Sequence, residues 1–274
     1  MDLAPHDRDS INDLRAEATQ RAKAARAEAE EAARVQGIWD NLYRFVANDW
    51  SFHVLDLFQK ESSLFKRMRA ESHQSIPALD DLHQLAKDDV ERTQRRFPSY
   101  LEQAFRAASL PLDADSRHPR YSLEHKFFQL EIDEQRRMAK LTDREGKLAE
   151  FPADIGAVLE VVQREHKRVF GRSFDGKKVL KLLRQQYVAI AKKEKLEDGA
   201  SIPIRHITRR LGKNVKGFRS DEFLIDLSRL VEQGPMEIDG WKLDLQQTKD
   251  TNQGMLLHGA AGRGYVGFVV FRKV

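Results

Sequence analysis

The spacing of apolar residues changes period along this chain, and that change limits the folds open to it. From Ser10 to about Ala108, apolar residues recur every three or four positions, the mark of amphipathic helices. At Phe128–Asp133 the pattern becomes strict alternation, with Phe128, Leu130 and Ile132 set against Gln129, Glu131 and Asp133, which suits a half-buried strand. Helical spacing returns after Pro152, and alternation reappears near the end. A chain mixed in this order is expected to be mainly α with small antiparallel β-sheets, an α+β protein. Its 274 residues, 41% of them hydrophobic, are enough to bury a proper core.

The first helix is expected over Ser10–Gln36, with Ser10 as its cap. Ala18, Ala22, Ala25, Ala29 and Ala32 follow at spacings of a heptad repeat, headed by Ile11 and Leu14. Residues 10–36 therefore read either as a coiled-coil-like arm for a protein partner or for self-association, or as a solvated helix of high propensity. Gly37 breaks or dents that helix. Trp39, Leu42, Phe45, Val46, Trp50, Val54, Leu57 and Phe58 then carry a broad apolar face at helical spacing, read as core rather than as a base-stacking surface. Pro77 restarts a helix with Ser75 as cap, and Ser99–Ala108 makes one more.

Pro111–Pro119 is a polar linker. Met138–Thr142 and Lys147–Phe151 are expected to pair with the strand at 128–133, turning at Asp143–Gly146. Pro152 opens a helix whose end carries Arg164, Lys167 and Arg168, partly as a complement to the helix dipole. Helices follow at Phe174–Lys195, at His206–Leu211 with Gly212 as terminator, and at Asp221–Gln233 with Ser220 as cap. Ser201–Ile204 is extended between the first two. Asp239–Gly240 between alternating runs predicts a hairpin, and Tyr265–Phe271 a closing strand. The resulting divisions are 1–36 (arm), 37–110 (helical body), 111–151 (linker and small sheet) and 152–274 (basic domain).

Charge is segregated. Residues 164–219 hold 17 lysines or arginines against five acids, a surplus of 12, while the whole chain carries +4 and the remainder therefore −8. A basic stretch of this size is the footprint of a polyanion partner, and nucleic acid is the commonest. The order helix, short strand, helix, helix, hairpin, closing strand resembles the winged-helix superfamily of DNA-binding domains over roughly the last 100 residues. That resemblance implies duplex DNA as partner, with the third helix in the major groove and the wing on the backbone. The third helix departs from it, with Asp221, Glu222, Asp226 and Glu232 against Arg229 alone. Phosphate contacts are therefore expected from the loop and second helix, Arg205, Arg209, Arg210, Lys213, Lys216 and Arg219. The outer face of the preceding helix adds Lys177, Lys178, Lys181 and Arg184, and the Gly-rich 246–264 loop adds Lys249 and Arg263. Sequence readout should be slight, because few Asn or Gln are placed to read bases. The alternative is an accessory subunit of a DNA-acting ATPase assembly, using the alanine heptads and the acidic third helix as docking surfaces.

Other classes have less support. The chain has no cysteine, which removes disulfides and thiolate sites and suits a reducing cytoplasm. No apolar run approaches the about 18 residues of a membrane span, and the start lacks a signal core. No Walker motif or dinucleotide loop occurs, and no catalytic set, metal site or cofactor is expected. A metal-dependent nuclease built on Asp239 or Asp244 with Lys249 is the remote enzymatic option.

Overall fold

The computed structural model describes residues 5–259 and 264–274, with side chains described from residue 9 onward. It is α+β, with helices and two small antiparallel sheets, and divides into two compact units, Met1–Arg95 and Arg96–Val274.

The first unit contains α1 (Pro5–Ala47), α2 (Ser51–Lys60), α3 (Ser62–Ala70) and α4 (Ile76–Gln94). Gly37 does not break α1. A helical glycine costs about 1 kcal/mol relative to alanine, which the good helix formers before it and the buried Ile38, Leu42 and Phe45 after it outweigh. The break comes instead at Asn48–Trp50, where Asp49 adopts a φ of 56°. Trp50 then folds back on Phe45, with ring centroids 6.1 Å apart. Phe58 stacks on Phe65 at 4.3 Å and on His83 at 4.7 Å, tying α2, α3 and α4 together. The apolar face read from the sequence is thus core at Leu42, Phe45, Trp50, Val54 and Phe58, while Val46 is exposed. Ser75 stands at the N-cap of α4 but makes no side-chain cap bond.

The second unit begins with α5 (Phe97–Ala107), whose Phe97, Leu101 and Phe105 enter one continuous core with the remainder of the chain. The sequence grouping of this helix with the helical body does not reflect where its apolar face is buried. A four-stranded meander follows in sequential order: β1 (Arg120–Leu123), β2 (Phe128–Asp133), β3 (Met138–Asp143) and β4 (Gly146–Pro152). Its inner face buries Tyr121, Leu123, Phe128, Leu130 and Leu141. On the outer face Arg120, Glu131, Lys140 and Glu150 stand directly opposite one another across the strands. This row alternates in sign, so each strand meets an opposite charge on its neighbour. β1 is absent from the sequence reading, since four residues with two apolar positions give little periodicity.

Beyond the meander lie α6 (Ile155–Phe170), α7 (Gly176–Glu194), β5 (Ile202–Pro203), α8 (Ile204–Asn214), α9 (Ser220–Gln233), β6 (Glu237–Ile238), β7 (Trp241–Thr248), β8 (Met255–Leu256) and β9 (Tyr265–Lys273). The second sheet runs β5–β9–β7–β6, with β8 also on β9, and every pairing is antiparallel. Asp239 and Gly240 both have positive φ, 50° and 74°, as a two-residue hairpin turn of the favoured hand requires. Several helix boundaries differ from expectation: Ser10 lies inside α1 rather than capping it, α7 starts at Gly176 rather than Phe174, and α8 starts at Ile204, within the stretch expected to be extended. Pro152 ends β4 and α6 starts at Ile155; α8 runs through Gly212 to Asn214; and the cap position of α9 is Arg219, not Ser220.

The turn between β3 and β4 fastens the meander to the rest of its unit. Arg144 donates from Nη1 to the carbonyls of Leu256 and Leu257 at 3.1 and 2.8 Å, and Glu145 pairs with Arg205 on α8. Asp143 lies beside Asp221 at the start of α9. Three consecutive residues thus reach three different elements. The same contacts pin residues 249–259, since Arg205 also donates to Gly254 O at 2.9 Å and the His258 N–H donates to Ser228 Oγ at 2.8 Å. That part of the 246–264 loop is anchored rather than free. Gly267 is required there: a Cβ would fall 2.6 Å from Thr248 Cβ on β7. Among the described residues, no helix is long and apolar enough to cross a membrane.

Candidate nucleic-acid interface

The basic stretch separates into two populations of cations. One lies between α6 and α9. Arg168 pairs with Glu165 at 2.8 Å, with Glu222 at 2.7 Å and with Asp221. Arg172 pairs with Asp226 at 2.9 Å and Glu222 at 3.5 Å, and Arg164 with Glu165 at 3.1 Å. Arg229 turns back to cap α6, donating to Phe170 O and Arg172 O at 2.8 and 3.0 Å. Burial by itself would lower the Arg168 guanidinium, but its bonds to Asp221, Glu165 and Glu222 outweigh this and raise it. Three of the four acids of α9, Asp221, Glu222 and Asp226, are therefore paired inside the unit. By the same contacts, Arg168 and Arg172 are not available as a phosphate surface, whereas Arg164, with one ion pair, stays largely exposed.

The acids respond to the same surroundings. Asp143 is pushed up to about 6, chiefly by burial, against the N–H groups of Glu145 and Gly146, with the neighbouring Asp221 raising it further. Burial would raise Asp221 as well, but Arg168 holds it below the usual carboxylate range. Asp226 is raised, burial outweighing Arg172.

The second population has little internal compensation. α7 starts at Asp175, whose carboxylate accepts the Lys178 N–H at 3.0 Å, and buries Leu180, Leu183, Tyr187 and Ile190. The opposite side exposes Lys177, Lys178, Lys181, Lys192 and Lys193. α8 is the most sharply two-faced helix, burying Ile204, Ile207, Thr208 and Leu211. Its outward side is therefore left to His206, Arg209, Arg210 and Lys213, all but Lys213 from one turn. Where the C-terminal half of α7 meets α8 there is a groove of about 230 Å³ lined by Lys193, Arg209, Arg210 and Lys213, with His206, Asn214, Ile190 and one acid, Glu194. Glu194 lies 3.7 Å from His206 Nδ1, and Arg210 Nε is oriented by Gln186 at 3.1 Å.

The expected site residues sort accordingly. Arg209, Arg210 and Lys213 converge on the groove. Lys177, Lys178, Lys181 and Lys216 are exposed and make no ion pair among the described residues. Lys249 is exposed after β7. Arg205 is withdrawn by Glu145 and Gly254 O. Arg184 lies over the Trp241 ring at 4.1 Å and Phe271 at 5.1 Å, where burial lowers its pKa. Arg219 is half occupied by Asp221 at 3.4 Å, and Arg263 lies outside the described residues. Lys193 is not among the binding residues expected from the sequence; only the packing of α7 on α8 brings it to Arg209. As for the nuclease option, Asp244 is engaged by Arg272 at 3.2 Å. Among the described residues no group of three or more His, Asp or Glu is arranged to hold a metal.

No family model, curated protein or solved structure matches the chain.

Proposed function

We propose that this is a non-enzymatic DNA-binding protein that grips duplex phosphates in the α7–α8 groove, extended by the lysines of α7. The carrying observation is the convergence of Lys193, Arg209, Arg210 and Lys213 on one concavity with a single acid. Four cations at that spacing act as phosphate ligands whose binding releases counterions. The winged-helix reading is supported by the element order, and by a closing strand, β9, that lies between the other long strand and the short one. Its third helix is used differently here. α9 is committed to Arg168 and Arg172, so the phosphates go to α8 and not to α9. The accessory-subunit alternative loses the acidic helix as a docking surface for the same reason.

Duplex is favoured over single strands because stacking platforms are missing from the basic face. Among the described residues, the large exposed aromatics are Tyr43 and Tyr100, both far in sequence from α7 and α8, whereas single-strand binders stack bases on aromatic rings. Absence of cysteine suits work in the cytoplasm.

The test is fluorescence anisotropy with duplex DNA, single strands and duplex RNA over a salt series. Duplex DNA is expected to bind best, with log affinity falling by about 3–4 per decade of salt, near 0.9 for each phosphate neutralised. Arg209→Ala/Lys213→Ala should weaken binding about 10–100-fold at low salt and make that slope shallower by about two. An affinity indifferent to salt, or unchanged in the double variant, overturns the reading.

A further inference from the structure

The outward face of α1 is exposed within the first unit, and its charges bear on what covers it. Residues 9–34 are exposed throughout, although the helix carries Ile11, Leu14 and five heptad-spaced alanines. Ile11 and Leu14 are 55% and 66% exposed, and Tyr43, further along the same face, 78%. The unit's own core does not account for this face. Ala18 and Ile38 are 20 positions apart, which at 3.6 residues per turn places them about 200° from each other, so the buried Ile38, Leu42 and Phe45 point the other way.

Alanines alone would not choose a partner. The flanking charges do. Residues 11–23 carry Arg15, Arg21 and Lys23 against Asp13 and Glu17, and residues 24–36 carry Glu28, Glu30 and Glu31 against Arg26 and Arg34. Arg21 touches only Glu17 of its own helix, at 2.6 Å, and Lys23, Arg26, Glu28 and Glu30 make no ion pair among the described residues. In a parallel pair each g position of the heptad faces the e position five residues further along the other helix, which would set Arg21 against Arg26. Turned antiparallel, the same flank sets Arg21 of each helix against Glu28 of the other.

We propose that α1 pairs antiparallel with α1 of a second copy of this chain, in a single register. Ala18 meets Ala29 and Ala22 meets Ala25, close enough for the helices to interlock because alanine is small. On the flank, Leu14 meets Val35 and Arg21 meets Glu28, each twice by symmetry. The overlap, Ile11–Gln36, is about 39 Å long at 1.5 Å per residue. The pairing is isologous and therefore closes at two copies. It is independent of the polyanion reading, since it involves no residue of α7 or α8.

The chain has no cysteine, so engineered ones report without background. Full-length Ala18→Cys and Ala29→Cys variants are mixed and oxidised, alone and together. The mixture should give the 18–29 disulfide as main product, and Ala18→Cys alone little. Sedimentation of the unmodified chain over a micromolar series should show a reversible dimer. Glu28→Arg should weaken it about tenfold by setting like charges together, and Arg21→Glu/Glu28→Arg, which keeps the composition, should restore it. A chain monomeric at every concentration, a dominant 18–18 disulfide, or a charge-swapped variant no tighter than Glu28→Arg overturns the proposal.

Discussion

Arginines of α6 and cations of the α7–α8 groove come from the same basic stretch, yet one set holds the protein together and the other is left for a partner. At Arg168 the guanidinium meets three carboxylates, only one of which, Glu165, is local. At the groove, Lys193, Arg209, Arg210 and Lys213 share one acid, Glu194. Net charge does not distinguish these cases. What does is which way α9 turns its acids: the helix packs against both α6 and α7, but Asp221, Glu222 and Asp226 pair with Arg168 and Arg172 on the α6 side. A count of charge along a sequence measures supply; function depends on what remains after the fold has taken its share.

The contrast breaks most visibly at Arg168. Replacing it with alanine leaves Asp221 and Glu222 buried or half-buried near Glu165 without their main cation. Loss of one partner from a buried network costs about 3–5 kcal/mol. Arg168→Ala is therefore expected to lower the denaturant midpoint strongly. The groove variant Arg209→Ala/Lys213→Ala should leave it within about 0.5 kcal/mol of the parent, as exposed substitutions do. Chemical unfolding of both variants alongside the anisotropy series separates the two populations. If Arg168→Ala unfolds like the parent but loses DNA affinity, the division drawn here is wrong.

A smaller effect sharpens the same boundary from the acid side. Asp143 sits beside Asp221 with its pKa raised to about 6. A carboxyl whose folded pKa exceeds its unfolded value binds more protons when folded, so its contribution to stability is present at low pH and is lost as pH rises through about 6. Asn at this position keeps an oxygen for the N–H groups of Glu145 and Gly146 without the charge. Asp143→Asn should thus gain about 1 kcal/mol at pH 7–8, allowing for partial contact with water, and the gain should vanish near pH 4. Unfolding curves across pH check it; a gain that persists at pH 4 would assign the effect to something other than charge.

Which parts of this were legible in the sequence follows from how local their causes are. The hairpin at Asp239–Gly240 was readable because both residues tolerate positive φ and the flanking runs alternate. β2, β3 and β4 were readable from their period and the intervening turn. Gly37 and Gly212 misled, since a glycine ends a helix only where the neighbours do not sustain it. The break at Asp49 carried no such signal and arises from Trp50 packing on Phe45. The site was half legible. Arg209, Arg210 and Lys213 lie within five positions on one helix face, but the loss of Arg205 depends on Glu145, 60 residues away, and that of Arg168 on Asp221, 53 away. Such distances leave no trace in local pattern.

Arg184 lies between the two populations and gives the smallest test. It is in the basic row of α7 by sequence, but its guanidinium lies over Trp241 and Phe271, where a cation over an aromatic face contributes about 0.5–1 kcal/mol at a partly exposed position. Lysine keeps the charge and loses the planar guanidinium. Arg184→Lys should therefore cost somewhat under 1 kcal/mol in unfolding free energy and leave the salt slope of DNA binding where it was. Arg184→Ala should also leave that slope unchanged, because a guanidinium held against the sheet neutralises no phosphate. A slope shallower by about one in Arg184→Ala would instead return this residue to the interface and move the boundary between cohesion and recognition along α7 by two turns.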